Sequence, residues 1–113
     1  MGVSGRTFIP DFSEAPRPPG EESVLIHLGY EDFDLMIALS YELVEVLEYS
    51  DVGMFDGNEI GEGDTVFFMY GPDAELLFKH VEHVFRNNEF CRGARAVMRW
   101  GSSPDAPKRE VTL

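Results

Sequence analysis

The spacing of hydrophobic residues changes repeatedly along residues 23–101, and this succession restricts the chain to few folds. Apolar residues alternate with a period of two over residues 23–30, which indicates a strand. A helical spacing follows, and acidic residues stand at its start, where the helix dipole stabilises negative charge. The stripe predicted to be buried on this helix consists of Phe33, Met36, Ile37, Leu43, Val44 and Leu47. We expect the helix to end between Tyr49 and Gly53.

A strand pair, a second helix and a last strand complete the pattern. Residues 52–70 return to a period of two that is interrupted by glycines, which predicts a β-hairpin with its tip at 61–64. The Gly-Pro-Asp sequence at 71–73 then opens a helix, because proline in the first turn has no N–H to lose. This helix is predicted to bury Ala74, Leu77, Phe78, Val81, Val84 and Phe85. Alternation resumes over 93–100 and indicates the last strand.

The order strand, helix, strand, strand, helix, strand predicts an α+β domain of the ferredoxin-like βαββαβ type. In the right-handed packing known for this order, four antiparallel strands form one sheet and both helices cover one face. We expect strands one and three at the centre and strands two and four at the edges. The domain is predicted to span 23–101, after a flexible or docked leader at 1–22 and before a loose tail at 102–113. The leader residues suited to docking are Phe8, Ile9 and Phe12.

Charge and cysteine content narrow the kinds of partner. The 113 residues carry a formal net charge of −12, and such a field repels phosphate backbones and anionic membranes. We therefore expect no nucleic acid and no membrane, but a second copy of the chain or a protein with a basic surface. The longest apolar runs fall far short of the ~20 residues of a membrane helix, and no apolar signal segment opens the sequence. With a single cysteine, Cys91, a cytoplasmic setting is predicted.

The charges are segregated along the chain. No Lys or Arg occurs over residues 18–78, although this stretch holds 15 Asp or Glu, and five Lys or Arg follow over residues 79–99. In the predicted fold the acidic block forms the first helix and the hairpin, and the basic block forms the second helix and the last strand. The two sheet edges would then carry opposite potentials, which favours an oriented partner or association between copies. A solvated surface with an incidental asymmetry is the alternative.

The sheet face without helices is the predicted binding surface. It would present His27, Arg95 and Arg99 together with one of two sets from strand three, either Thr65, Phe67 and Met69 or Val66, Phe68 and Tyr70. Large apolar side chains rimmed by Arg and His are rarely left uncovered in a monomer. The predicted binding residues are His27, Phe67, Arg95 and Arg99, with Asp56, Glu59 and Glu62 on an acidic edge.

The glycine-rich hairpin loop offers the oxygen atoms that hard cations prefer. Asp56, Asn58 and Gly61 fit positions one, three and six of a calcium-binding loop. Ile60 and Phe67, however, stand at positions five and twelve, where oxygen ligands are needed. A hairpin tip with solvated carboxylates is the simpler interpretation. The sequence therefore predicts no metal and no cofactor.

Three functions are compatible with these features, and the first is favoured. It is a non-catalytic binding or regulatory module that forms a homodimer through the open sheet face. The second is an acidic inhibitor or immunity-type protein that blocks a basic, nuclease-like partner; its carboxylates would come from Glu42, Glu45, Asp56, Glu59 and Glu62. The third is a small enzyme with a base and a carboxylate partner drawn from His27 or His83 and Glu59 or Asp56. No catalytic constellation is evident, so no catalytic residue is predicted.

Several segments resemble an uncharacterised family of small bacterial proteins. The segments that carry this resemblance are 52–64, 69–74, 92–94 and 99–101. The resemblance spans about residues 24–101 and implies no activity. More remotely, the acidic hairpin and the βαββαβ order are similar to RraB-type proteins that inhibit ribonuclease E. This chain has no extended acidic cluster that aligns with that family.

Overall fold

The computed structural model describes residues 22–101 and 103–113, which form a five-stranded antiparallel sheet and two α-helices. In chain order the elements are β1 (Glu22–His27), α1 (Phe33–Leu47), β2 (Met54–Gly61), β3 (Asp64–Gly71), α2 (Ala74–Arg86), a single 3-10 turn (Glu89–Cys91), β4 (Arg95–Arg99) and β5 (Lys108–Thr112). The strand order across the sheet is β2-β3-β1-β4-β5, and each neighbouring pair is antiparallel. β1 is therefore the middle strand.

The sheet has one strand more than the sequence predicted. The α+β class is confirmed, but the prediction of four strands is wrong, because the tail predicted to be loose contains β5. β5 pairs with β4, so β4 is not the edge strand it was expected to be. β5 could not be recognised as a strand in the sequence because it is rich in charged residues. Edge strands often carry such charges, which discourage pairing with other chains. Val111 of β5 and Leu113, which follows the strand, both pack against the core.

Both helices lie on the same face of the sheet, as predicted. Asn58 of β2 and Phe67 of β3 are register partners, so their side chains point to the same side. Asn58 Nδ2 donates a hydrogen bond of 2.7 Å to Ser40 Oγ of α1. The Phe67 ring packs against Phe85 of α2 with 5.7 Å between centroids. One face is therefore covered by both helices, and the other face carries neither.

The buried stripe of α2 is confirmed, but that of α1 is rotated from the prediction. All six predicted residues of α2 are buried. On α1, Leu35 and Leu39 are buried although they were not predicted to be, whereas Phe33 and Val44 are 57% and 45% exposed. Apolar residues occur on two sides of α1, so its periodicity allows two orientations. The position of the helix over β2 and beside α2 selects one of them.

The chain before β1 was predicted to be a leader that extends to residue 22. Glu22 instead opens β1, and its carboxylate accepts a hydrogen bond of 2.7 Å from the Ala74 backbone N–H at the start of α2. The predictions about residues 1–21, including the docking of Phe8, Ile9 and Phe12, lie outside the described residues. This hydrogen bond joins the middle strand to the start of the second helix.

Candidate functional site

The open face, which is the sheet face opposite the helices, consists of three rows of register partners. The first row, from β2 to β5, is Glu59, Val66, His27, Arg95 and Thr112. The second row is Gly57, Phe68, Leu25, Val97 and Glu110. The third row is Met54, Tyr70, Ser23, Arg99 and Lys108. Apolar and aromatic side chains thus occupy the centre, and the cations of this face gather on β4 and β5.

The structure brings three of the predicted binding residues together and excludes one. His27 and Arg95 are register partners, and Arg99 lies on the same face of β4. Phe67 is fully buried in the core, so the prediction that it contributes to the binding surface is wrong. The sequence left open which side of β3 faces outward. Pairing with Ile26 places Phe67 on the helix-covered side, and the outward set is Val66, Phe68 and Tyr70.

A groove of about 500 Å³ lies on the open face over β1, β4 and β5. Leu25 and Val97, both partly buried, supply apolar surface to it. The cations that line the groove include Arg95, Arg99 and Lys108. This combination of an apolar floor and cationic walls suits an anionic group carried on an apolar body.

The cations of the groove are only partly neutralised within the domain. Arg95 forms an ion pair with Glu110, with 3.4 Å between Nη1 and Oε1. Arg99 Nη2 donates to the carbonyl oxygen of Ser103. The Nε atom of Arg99 is buried and has no hydrogen-bond partner in the described part of the chain. A buried donor without an acceptor costs free energy.

His27 lies at the other end of the groove and contacts a carboxylate that the sequence did not pair with it. Its Nδ1 atom is 2.8 Å from Asp64 Oδ2. Asp64 Oδ1 also accepts hydrogen bonds of 2.8 Å from the backbone N–H groups of Gly29 and Thr65. Burial by itself would raise the pKa of Asp64, but these hydrogen bonds outweigh it and lower the pKa. Asp64 therefore anchors His27 as an ionised carboxylate.

The hairpin tip beyond β2 is tied to the loop between β1 and α1. Thr65 Oγ1 donates to the carbonyl oxygen of Tyr30 at 2.7 Å, and the Gly63 N–H donates to Glu31 Oε2 at 3.1 Å. Glu62 stands at the tip, exposed and with a φ of 54°. These two hydrogen bonds join the hairpin tip to the loop between β1 and α1.

The oxygen atoms of the hairpin do not converge on a cation. Asn58, which fits position three of a calcium loop, is fully buried on the helix-covered face and donates to Ser40. Asp56 lies in a β-bulge between Phe55 and Gly57. Within residues 22–101 and 103–113, no group of three or more His, Cys, Asp or Glu could hold a metal ion. Asn58 thus serves the packing of α1 on β2.

The other two histidines and the single cysteine lie outside the groove. His83 is exposed on α2, on the helix side of the sheet, whereas Glu59 belongs to the open face. His80 Nε2 is 3.2 Å from the carbonyl oxygen of Val46, so this histidine joins the two helices. Cys91 is 1% exposed, and burial, with a smaller contribution from Glu42, raises the pKa of its thiol to about 11. The thiol is therefore protonated at neutral pH.

A second surface, on the outward side of α1, was missed by the sequence analysis. Phe33, Tyr41 and Val44 are 57%, 75% and 45% exposed, and with Ile37 they follow a spacing of four, four and three residues. Residues at this spacing lie on one side of a helix. The exposed carboxylates on the same helix and just after it are Asp34, Glu42, Glu45 and Glu48. The sequence signal that could have indicated this surface is the second set of apolar residues at helical spacing within α1.

Comparison with protein-family models, with curated proteins and with solved structures found no match for this chain. Neither α-helix of the described residues combines the length and the apolar character needed to cross a membrane. The two surfaces described above are therefore the observations from which a function can be argued.

Proposed function

We propose that this chain is a non-catalytic binding module that acts through its open face and associates as a homodimer. The observation that carries the proposal is the groove of about 500 Å³, in which apolar Leu25 and Val97 lie beside the cations of β4 and β5 and beside Glu110. Neither helix covers this face. Apolar surface bounded by charged groups is typical of protein interaction sites. A second copy of this chain presents the same open face, and it is the partner that we propose.

The fold is consistent with a module of the ferredoxin-like type. The first four strands occur in the order β2-β3-β1-β4; α1 follows β1 and packs over β2, and α2 follows β3 and packs over β1 and β3. β5 extends this arrangement beyond β4. Because β5 widens the open face by one strand, it adds Lys108 and Glu110 to the groove. The extra strand thus supports a binding role for this face.

The positions of the titratable groups support binding over catalysis. His27 Nδ1 is engaged by Asp64, and His83 lies on the opposite side of the sheet from Glu59. A general base and its partner must lie within hydrogen-bond reach of one another. Of the proposed acid–base pairs, those that include His83 are therefore the least supported.

Sedimentation velocity of the purified protein over a wide concentration range tests the homodimer. We expect a dimer for the wild type and at least a tenfold weaker dimer for Arg99→Glu, because like charges at an interface cost several kcal/mol. Lys79→Glu, on the exposed side of α2, is the control and should leave the dimer unchanged. A monomeric wild type, or a dimer that Arg99→Glu leaves intact, would contradict the proposal.

The outward side of α1 favours a second candidate function, an acidic inhibitor of a basic, nuclease-like partner. Its apolar stripe, defined above by Phe33, Ile37, Tyr41 and Val44, is accompanied by Glu42 and Glu45, and no Lys or Arg occurs within 18–78. Such a surface suits a partner that offers both apolar contacts and cations. Capture of a protein from cell lysate would support this function only if Glu42→Lys with Glu45→Lys abolishes it. Arg99→Glu should leave such capture intact, and added salt should weaken it.

A further inference from the structure

We infer that the side of α1 turned away from α2 binds a basic, amphipathic helix of another protein. The partner's apolar side would lie on the apolar stripe of α1, formed by Phe33, Ile37, Tyr41 and Val44, and its cations would meet the carboxylates beside that stripe. This inference rests on the second candidate function and names the element of the partner that α1 recognises. It does not depend on the homodimer, because the open face takes no part in it.

The apolar stripe faces away from the neighbouring helix. The backbone carbonyl oxygen of Val46 is 3.2 Å from His80 Nε2, so Val46 belongs to the side of α1 that meets α2. Val44 stands two positions earlier, which places it about 200° away around the helix. α2 is the only other α-helix among the described residues. One side of α1 therefore packs on a helix, whereas the opposite side has no described helix to pack on.

The stripe has the length and the surface of a binding site for a helix. From Phe33 to Val44 it covers roughly 16 Å of α1, at a rise of about 1.5 Å per residue. A pocket of about 290 Å³ lies at its C-terminal end, and the residues that line it include Val44, Leu47 and Met54. Met54 adds exposed apolar surface from the start of β2. Amphipathic helices bind apolar grooves of this kind through side chains spaced three and four residues apart.

The C-terminal end of α1 carries carboxylates where a helix usually carries cations. Cations stabilise this end because the helix dipole is negative there, yet the last turn of α1 has no basic residue. Glu45 lies in that turn and Glu48 caps the helix, and both are exposed. α2 has the usual arrangement, with His83 and Arg86 in its last turn. The end of α1 is therefore the point at which a partner's cation gains most.

Carboxylates also border the stripe along its length. Asp34 and Glu45 are exposed, and each follows a stripe residue by one position, which is about 100° around the helix. No Lys or Arg occurs within 18–78, so α1, β2 and β3 offer none to these carboxylates. Protein interfaces usually combine an apolar centre with a charged margin. A partner that covers the stripe therefore has to bring Lys or Arg beside its own apolar side.

Charge distinguishes a basic helix from the other occupants of this surface. A second copy of α1 would place the same carboxylates opposite one another, and like charges disfavour such an interface. A phosphate backbone or an anionic membrane is repelled by the net charge of −12. A helix rich in Lys and Arg is attracted both by the carboxylates beside the stripe and by the field of the whole chain.

Titration calorimetry of the full chain with a synthetic peptide tests the inference. The probe is a helical peptide of about 15 residues, with Leu at the spacing of the stripe and Lys at the remaining positions. We expect one peptide to bind per chain. A peptide of the same composition, with its Leu residues spread around the helix, should bind at least tenfold more weakly, because its charge is unchanged and only its apolar side is lost.

Substitutions on α1 locate the bound peptide. Tyr41→Lys and Val44→Lys, each made singly, place a cation within the stripe and should weaken binding at least tenfold. Leu76→Lys is the matched control, because it makes the same change of charge at an exposed apolar residue of α2. All three side chains are exposed, and circular dichroism confirms that each variant is folded. If one stripe variant does not fold, the other still decides the result.

A second pair of variants tests the carboxylates. Glu45→Gln with Glu48→Gln should weaken binding several-fold at low salt, and added salt should reduce the difference from the wild type. Glu62→Gln with Glu89→Gln removes the same charge from exposed positions outside α1 and should leave binding nearly unchanged. Equal weakening by the two pairs would show attraction to net charge alone and would overturn the inference.

The remaining outcomes separate this inference from the proposed functions. A wild type that binds neither peptide, or that binds both equally, overturns the inference, as does binding that the stripe variants leave unchanged. If the peptide fails but capture from lysate is abolished by Glu42→Lys with Glu45→Lys, the inhibitor function stands and the partner does not present a basic helix. A wild type that is monomeric yet binds the peptide contradicts only the homodimer.

Discussion

The two faces of the sheet are made by the same strands but differ in what they contribute. On the helix-covered face, Val24, Ile26 and Met98 are completely buried. On the open face, Leu25 and Val97 of the same two strands stay partly accessible. The covered face stabilises the fold by removing apolar area from water, roughly 25 cal/mol for each Å². The open face buries less of its apolar area and therefore contributes less to folding.

This difference separates two kinds of experiment. Substitutions on the covered face should change the free energy of unfolding, because they remove packed atoms from the core. Substitutions on the open face should change association with little effect on stability.

The largest effect is expected on the covered face. Phe67→Ala should lower the free energy of unfolding by about 3–5 kcal/mol, because Phe67 is fully buried and its ring packs against Phe85. Val97→Ala, on the open face, is the matched control and should cost about 1 kcal/mol or less. Urea denaturation followed by circular dichroism measures both values, at a concentration at which the protein is monomeric. Equal losses for the two variants would remove the distinction between the faces.

An intermediate effect is expected at Asp64, where the open face meets the hairpin. Its pKa is lowered in the folded state, so its contribution to stability is present above the unfolded pKa of about 3.9 and is lost as pH falls through the folded pKa. Asp64→Asn should therefore cost about 1–3 kcal/mol at neutral pH. It should also flatten the decline of stability in acid.

The control for Asp64 is Glu45→Gln, a substitution on the exposed side of α1. Its stability should follow the wild-type dependence on pH. The measurement is the free energy of unfolding in urea at a series of pH values from neutral to acidic. If Asp64→Asn declines as steeply in acid as the wild type, the hydrogen bonds to Asp64 do not stabilise the fold.

The smallest effect on stability is expected at the ion pair of the groove. Arg95 and Glu110 are each about half exposed, at 49% and 50%, and exposed pairs contribute roughly 0–1 kcal/mol. Arg95→Gln should therefore change the thermal midpoint little while it weakens dimer formation. A loss of stability comparable to that of Phe67→Ala would show that the open face also maintains the fold.

Elements whose local sequence pattern allows a single orientation or boundary could be predicted from the sequence. The buried stripe of α2 is one example, because its apolar residues other than the exposed Leu76 fall on one side of the helix. The hairpin tip is another, since β2 ends at Gly61 and β3 begins at Asp64 as the glycine spacing indicated. In both cases neighbours in sequence decide the outcome.

Elements that carry apolar residues on two sides could not be oriented from the sequence. α1 has apolar residues on two sides, and β3 has them on both faces, so Phe67 was placed on the wrong surface. Asn58 belonged by its local sequence to a solvated loop, yet it is buried and donates to Ser40, 18 positions away. A buried amide is tolerated because that hydrogen bond compensates it. The tertiary fold brings such hydrogen-bond partners together, so their pairing cannot be predicted from the local sequence.

What the sequence determined by itself is the α+β class, the order of the first six elements and the separation of acidic from basic charge along the chain. These depend on local spacing and composition. The tertiary structure alone decided that β5 joins the sheet, that Asp64 anchors His27, and that Arg95, Arg99 and Lys108 line one groove. The reason is that strand pairing joins residues distant in sequence, and the pairing registers decide which of them share a face.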